Sequence, residues 1–216
     1  TGIGSLFDYI IIHESGHEWF GNSVTSKDIA DMWIHEGFTM YSEVVYVECV
    51  YGYEKAMRYM NGMRGAVAND KPVIGHYGVN AEGSGDMYYK GALMINTIRH
   101  IIGNDEKFWQ ILKKFSETYR LKIIDNETVI KFFNTESAMD LAPVFTQYLK
   151  TTKIPELKLE VNKGKIEYRW SNTIEEFDMP IDITIAGETQ RVKPTTQPQT
   201  LAVPKKTTSA DIEIPL

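Results

Sequence analysis

The feature that most constrains the fold of this chain is the pentad His13-Glu14-Ser15-Gly16-His17, an HExxH pattern. Residues four positions apart share a face of an α-helix, so a helical pentad directs both histidines towards one point. Apolar periodicity predicts such a helix over Leu6 to Phe20. Ser5 and Asp8 have the spacing of a capping box at its start, and Gly21-Asn22 is typical of a helix end.

The pentad predicts a zinc site. Zinc accepts imidazole nitrogen in a tetrahedral shell, and a catalytic zinc has three protein ligands and one open position. Glu36 is the best candidate for the third ligand, because the eighteen residues between it and His17 allow a loop and a return helix. We expect one Zn²⁺ per chain, bound by His13, His17 and Glu36, with Glu14 as the general base that activates water. Alternatively, the histidines are ordinary core or surface residues, since HExxH also arises by chance.

Several neighbours of these residues have more than one interpretation. Glu43 lies seven residues after Glu36 on the same helical face, and it either orients a ligand histidine or is a solvated helix charge. Asp31 has the position of a helix cap. His35 points away from Glu36 on the helix and is interpreted as structural or exposed, whereas Trp19 is expected in the core.

The pattern of apolar residues predicts a mainly α-helical chain with a small β part at its end. Beyond the first helix, helices are predicted over residues 31–50, 53–68, 86–102, 105–119, 128–137 and 141–150, with a loop over 69–85. Alternating runs over residues 157–161, 166–170 and 181–185 predict half-buried strands, and Gly164 and Gly187 fit hairpin turns. We therefore expect a helical domain over residues 1–153 and a small all-β, sandwich-like domain over residues 154–216.

Composition and charge exclude several classes of function. The 216 residues include 29 acidic and 23 basic ones without a run of Lys or Arg, so we expect no nucleic-acid partner. No apolar stretch suits a transmembrane segment, and the single Cys49 excludes an internal disulfide. The sequence begins at Thr1 rather than at an initiator Met, and its first residues do not have a signal-peptide pattern. We therefore interpret the chain as part of a longer protein. Its compartment stays open, with cytoplasm and periplasm both compatible.

Three motifs occur in order along the first two thirds of the chain. They are His13-Glu14-x-x-His17-x-Trp19-Phe20-Gly21-Asn22, Trp33-Ile34-His35-Glu36-Gly37-Phe38 and Tyr88-Tyr89-Lys90-Gly91. Together they resemble the aminopeptidase N family of gluzincin metallopeptidases, which includes the leukotriene hydrolase branch. The resemblance implies a thermolysin-like helical catalytic domain, zinc, and peptide substrates that lose their N-terminal residues. It also implies that Tyr88, rather than the adjacent Tyr89, donates the hydrogen bond that stabilises the oxyanion; without the motif, both would be interpreted as core aromatics.

One motif of that family is not found in this sequence. Members carry Gly-x-Met-Glu-Asn before the zinc helix, and its acid holds the free amine of the substrate, but none of the twelve residues before His13 fits. We expect that anchor in a missing N-terminal β domain of the same protein, and we expect the isolated chain to be weakly active. Two alternatives stay open, a zinc endopeptidase and a non-catalytic binding fragment; the presence of Glu14 and Tyr88 favours an enzyme.

Overall fold

The computed structural model describes residues 7–214, and the chain divides after Thr152 into two compact units. The first unit is mainly helical. Its helices, within the described residues, are α1 (Tyr9–Gly16), α2 (Trp33–Tyr51), α3 (Tyr53–Met63), α4 (Tyr89–Ile102), α5 (Asp105–Thr118), α6 (Asn126–Ser137) and α7 (Ala142–Lys150). Two short strands, β1 (Val24–Ser26) and β2 (Lys122–Ile124), pair in parallel.

Helix α2 organises the first unit, because α1, α3 and α4 all pack against it. Its residues Trp33 and Phe38 are buried in an aromatic core, where the Phe38 ring lies 5.2 Å from that of Phe115 and 5.0 Å from that of Phe20. Burying one such side chain contributes about 1.5–3 kcal/mol relative to leaving it exposed. The apolar residues of α2 therefore fix this helix firmly in the core.

The first helix is shorter than the periodicity predicts. Asp8 caps it by accepting a hydrogen bond from the backbone N–H of Ile11, but Ser5 and Leu6 lie outside the described residues. The regular helix ends at Gly16 instead of Phe20, because tight turns follow, in which Gly21 adopts φ 138° and donates to the Val24 carbonyl. The expectation that Trp19 lies in the core is wrong: its side chain is 57% exposed.

Other helix limits also differ from the predictions. A short 3-10 helix, Ile29–Asp31, precedes α2 and is capped by Asp28, so Asp31 does not cap α2. The end of α2, in contrast, agrees with the prediction: the helix stops at Gly52, which has φ 90°. A second 3-10 helix, Gly85–Met87, precedes α4, so the regular helix begins later than residue 86. The pairing of β1 with β2 was not predicted.

The second unit consists of two small antiparallel sheets. Its strands are β3 (Glu156–Asn162), β4 (Lys165–Ser171), β5 (Ile181–Ile185), β6 (Glu188–Val192), β7 (Gln199–Ala202) and β8 (Ile212–Glu213). Their orders are β3-β4-β7 and β6-β5-β8. Gly164 and Gly187 form the two hairpin turns with φ near 88°, as predicted. Ile166 of one sheet and Ile183 of the other belong to one buried apolar cluster.

Among the helices of residues 7–214, none combines the length and apolarity needed to cross a membrane.

Candidate metal centre

Three side chains from two helices converge at one point. Helix α1 carries His13, His17 follows as its C-cap residue with helical angles, and Glu36 lies in the first turn of α2. The Oε2 atom of Glu36 is 3.3 Å from Nε2 of His13 and 3.5 Å from Nε2 of His17. One donor atom from each residue lies within 4.8 Å of the others. The structure therefore brings together the three residues that the sequence selected as ligands.

These distances fit a tetrahedral zinc ion. Zinc binds imidazole nitrogen and carboxylate oxygen at about 2.0–2.2 Å, so two ligand atoms of a tetrahedral shell lie about 3.3–3.5 Å apart. The separations between Oε2 of Glu36 and Nε2 of the two histidines, 3.3 and 3.5 Å, agree with that range. The donor set, two nitrogens and one carboxylate, also matches zinc sites that leave the fourth position open for chemistry.

The outer ring nitrogens of both histidines are engaged by acceptors. Nδ1 of His13 is 2.8 Å from Oε1 of Glu43, and Nδ1 of His17 is 3.0 Å from the carbonyl oxygen of Phe20. A carbonyl oxygen only accepts, so Nδ1 of His17 carries the proton and Nε2 keeps its lone pair. The Glu43 carboxylate holds the Nδ1 proton of His13 in the same way, so a metal ion would replace the proton on Nε2, which faces Glu36. Both rings therefore present Nε2 towards Glu36.

Two carboxylates make the position of His13 attractive to positive charge. Burial lowers the pKa of His13, but its hydrogen bonds to Glu36 and Glu43 outweigh burial and raise the pKa to about 9. The side chains of His13 and Glu36 are each only 12% exposed, so water screens their interaction weakly. A cation bound between them would receive the same electrostatic support.

Tyr88 and Glu14 are the two residues assigned to catalysis from the sequence. The Tyr88 ring stacks on the His13 ring at 5.9 Å between centroids with an interplanar angle of 28°. Burial and the neighbouring Glu36 raise the pKa of Tyr88, so its hydroxyl keeps its proton and can act as a donor. Tyr88 precedes α4, whereas Tyr89 is the first residue of that helix. Glu14 follows His13 directly, and its side chain is exposed.

Close contacts at glycine positions bring the three relevant helices together. A Cβ atom at Gly16 of α1 would lie 3.1 Å from Cγ2 of Thr39 on α2. A Cβ atom at Gly37 would lie 3.2 Å from Cα of Gly91 on α4 and 3.3 Å from the carbonyl oxygen of Met87. Because these positions lack a side chain, α1 and α4 can approach α2 closely next to Glu36.

His35 has a structural role, one of the two roles expected for it. Its Nε2 atom accepts a hydrogen bond of 2.7 Å from the backbone N–H of Ser26 in β1. Burial lowers the pKa of His35, which favours the neutral ring that this contact requires. His35 therefore links α2 to the small sheet.

Two residues near the centre were not identified from the sequence. Oγ1 of Thr39 lies 3.3 Å from Nδ1 of His17. Thr39 could have been predicted from the sequence, because it follows Glu36 by three positions and so lies on the same face of α2. Tyr59 of α3 donates a hydrogen bond to Oε2 of Glu43. Nothing in the spacing of the motifs indicates Tyr59, because its position depends on how α3 packs.

The chain is similar to known peptidases in sequence. The model of the peptidase family M1 domain matches residues 5–148. Aminopeptidase B of Mus musculus is 27% identical over 152 residues, which cover 62% of this chain and 22% of that protein. This chain thus spans about a fifth of the length of that relative.

Two solved structures share the fold. The M1 zinc metallopeptidase from Deinococcus radiodurans aligns with a TM-score of 0.58 at 22% identity, covering 69% of this chain and 34% of that one. Legionella pneumophila aminopeptidase A, solved with aspartic acid, aligns with a TM-score of 0.66 at 18% identity, covering 92% of this chain and 24% of that one. At these identities the similarity supports the fold alone.

Proposed function

Because this chain belongs to peptidase family M1, we propose that it forms the metal-binding part of a zinc aminopeptidase, which removes N-terminal residues from peptides. Membership confirms the resemblance to the aminopeptidase N family that the three motifs predicted. Relatives named aminopeptidase B support the aminopeptidase activity for the whole protein. The contact geometry of His13, His17 and Glu36 carries the proposal, because its spacing suits one zinc ion.

Each residue of the centre has a role in this proposal. When bound, zinc supplies a Lewis acid that polarises the scissile carbonyl and increases the acidity of water. Glu14 accepts a proton from the attacking water and delivers it to the leaving amine. Tyr88 donates a hydrogen bond to the oxygen that gains negative charge. Glu43 holds His13 by its Nδ1–H, which keeps Nε2 directed towards the metal position.

The two units have different places in the proposal. In this proposal, residues 1–153 belong to a thermolysin-like catalytic domain and residues 154–216 form the small β-sandwich-like domain that follows it, which is supported by the division of the chain after Thr152. The acid that holds the amine of the substrate would lie in an upstream β domain of the same polypeptide. The length of the relatives, of which this chain covers 22%, is compatible with such a domain.

Zinc analysis of matched variants tests the metal assignment. His13→Ala and Glu36→Ala should lose most of the bound zinc, since each removes one of three ligands. Glu14→Gln should keep stoichiometric zinc, and so should His76→Ala, which removes an exposed histidine. The Glu14→Gln change should also abolish hydrolysis by the longer protein, because an amide cannot accept the proton. Stoichiometric zinc in both ligand variants would refute the site.

Cleavage of blocked peptides distinguishes the endopeptidase alternative. An aminopeptidase needs the free amine of its substrate, so acetylation of that amine should abolish cleavage by the longer protein. Efficient cleavage within an acetylated peptide would instead favour a zinc endopeptidase. Stoichiometric zinc without cleavage of either peptide would favour a non-catalytic binding fragment.

A further inference from the structure

Glu43 connects three helices beneath the metal centre. Its side chain is 1% exposed and belongs to α2. Oε1 lies 2.8 Å from Nδ1 of His13 in α1, whereas Oε2 accepts a hydrogen bond from the hydroxyl of Tyr59 in α3. A buried carboxylate is costly unless its oxygens have donors, so these contacts determine how Glu43 is held.

We propose that Tyr59 is a positioning residue of the metal centre, which acts on His13 through Glu43. The proposal rests on the zinc-binding function proposed above and extends it by one residue. If the Tyr59 hydroxyl were removed, Oε2 would be left without its donor, and rotation of the carboxylate would be less restricted. The hydrogen bond from Nδ1 of His13 would then hold the imidazole less firmly, and Nε2 would be less well directed towards zinc.

Packing fixes the Tyr59 ring independently of its hydroxyl. The ring lies 5.6 Å from the ring of Phe7 in an edge contact, and Phe7 also lies 5.3 Å from the ring of Tyr46. A Tyr59→Phe variant keeps this aromatic cluster and loses only the hydroxyl. Tyr46→Phe is the matched control, because Tyr46 packs on the same Phe7 ring. Within residues 7–214, the side chains that contact the Glu43 carboxylate as donors are His13 and Tyr59, so loss of the Tyr46 hydroxyl leaves Glu43 with both donors.

The test measures zinc binding and ligand geometry in the metal-free 216-residue chain. Zinc affinity is obtained by competition with a chelator, and the visible spectrum of the Co²⁺-loaded chain reports the arrangement of the ligands. We expect Tyr59→Phe to weaken zinc binding several-fold and to change the Co²⁺ spectrum. Loss of a direct hydrogen-bond partner of a ligand typically weakens binding about 10–100-fold, and Tyr59 acts one residue further out. Tyr46→Phe should change neither measurement.

A double-mutant cycle separates positioning from general destabilisation. In a Glu43→Gln background, the additional Tyr59→Phe change should have little effect on zinc affinity, because the residue through which it acts is already altered. Equal losses of affinity in both backgrounds would overturn the proposal, even if the variants differ in thermal stability. The proposal would also be overturned if Tyr59→Phe had the zinc affinity and Co²⁺ spectrum of the unaltered chain. It would likewise be overturned if Tyr46→Phe weakened zinc binding and changed the Co²⁺ spectrum as much as Tyr59→Phe.

Failure of the inference can be distinguished from failure of the proposed function. If the unaltered chain does not bind zinc, or if His13→Ala and Glu36→Ala keep it, both proposals are wrong. If those ligand variants lose zinc but Tyr59→Phe behaves like the unaltered chain, only the role of Tyr59 is wrong.

Discussion

The side chains around His13 show how individual residues define this centre. Glu43 contacts Nδ1 of its ring, Glu36 contacts Nε2, and the Tyr88 ring stacks on the face of the imidazole. These contacts restrict rotation of the imidazole, which is the property that a ligand in a small tetrahedral shell needs. His17 is held in a similar way by the Phe20 carbonyl, so its fixation depends on the turn after α1.

The position of Tyr88 leads to a prediction about the adjacent tyrosines. In the longer protein, Tyr88→Phe should lower kcat by about 10²–10³-fold, the usual cost of losing one oxyanion donor, with little change in KM. Tyr89→Phe should keep kcat within a few-fold, because Tyr88 rather than Tyr89 stacks on His13. Steady-state kinetics on an aminoacyl substrate checks both variants. If Tyr89→Phe shows the larger loss of kcat, the assignment must be reversed.

Asp31 provides a pH-dependent prediction away from the metal. Its buried carboxylate accepts hydrogen bonds of 2.7 Å from the Tyr77 hydroxyl and 3.1 Å from the N–H of Asn126. Burial raises the pKa of Asp31 despite these two bonds. Because the folded state holds this proton more tightly, its contribution to stability is complete below the unfolded pKa, about 3.9. That contribution is lost as pH rises through the folded pKa.

An Asp31→Asn variant should therefore gain stability relative to the unaltered chain as pH rises from about 4 to 7, because Asn has no proton to lose. Urea unfolding at several pH values gives the difference in free energy of unfolding between the two chains. Effects of the other titrating groups largely cancel in this difference. A difference that does not change with pH would contradict the raised pKa of Asp31.

Spacing within one helix could be read from the sequence, but packing between helices could not. His13 and His17 follow from the period of an α-helix, and Glu36 follows from the length of the connection. Their grouping agrees with the prediction, while their role as zinc ligands stays a prediction. Tyr59 reaches Glu43 only because α3 packs on α2. Trp19 was wrongly placed in the core because its helix ends before that residue.

At the scale of elements, α2 acts as the common support of the centre. It carries Glu36 and Glu43, it contacts α1 near Gly16, and it contacts α4 where Gly37 faces Gly91. The distance between α2 and α4 therefore influences how close Tyr88 lies to Glu36. A helix crossing this close depends on two residues without side chains.

An alanine at this crossing should force the two helices apart. In Gly37→Ala, the new Cβ would contact backbone atoms of Gly91 and Met87 at 3.2 and 3.3 Å, and backbone atoms cannot move aside without moving α4. We expect a loss of about 1–3 kcal/mol in the free energy of unfolding, as in other overpacked sites. Gly62→Ala is the control, because a Cβ at this position in α3 meets no atom within 4 Å.

The control should be neutral, or should stabilise the chain by about 0.5–1 kcal/mol through helix propensity. Urea unfolding of both variants checks the comparison. Equal stability of Gly37→Ala and Gly62→Ala would show that the α2–α4 crossing tolerates a wider separation.

The ends of helices, their starts and the short strands were predictable from the sequence to different degrees. Gly52 and Gly103 adopt positive φ at the ends of α2 and α4, so local chemistry determined these ends. The starts of the same helices lie later than predicted, because 3-10 turns precede them. The parallel pair β1–β2 joins residues about one hundred positions apart, and strands of three residues give too short a pattern to recognise.

At the scale of the whole molecule, the helix that carries His13 also exposes apolar side chains. Tyr9, Ile10 and Ile11, on the helix that carries His13, are 49%, 53% and 61% exposed. Adjacent exposed apolar side chains often mark a surface that packs against another domain. Together with the 22% coverage of aminopeptidase B, this surface supports the proposal of a further domain beside α1.

We therefore predict that residues 1–216 alone bind zinc but are a poor aminopeptidase. The ligands, Glu14 and Tyr88 are all within this chain, yet no acid has been identified that would pair with the ammonium group of the substrate. Such remote contacts hold the scissile carbonyl in position, and much of the catalytic advantage depends on that positioning. A neighbouring domain would also exclude water from the site, which strengthens its electrostatic interactions.

The test compares kcat/KM of residues 1–216 with that of a longer polypeptide that extends this chain upstream. Both proteins are used at matched zinc occupancy, and each is assayed on one aminoacyl chromogenic substrate and on its N-acetylated form. We expect a much lower kcat/KM for residues 1–216, together with a weaker preference for the free amine, because both depend on the same missing anchor. A low rate with full amine preference would mean that the upstream region assists catalysis without holding the amine. Equal kcat/KM values would place the anchor within residues 1–216, and the exposed acids near Tyr88, such as Glu82, would then be the first to substitute.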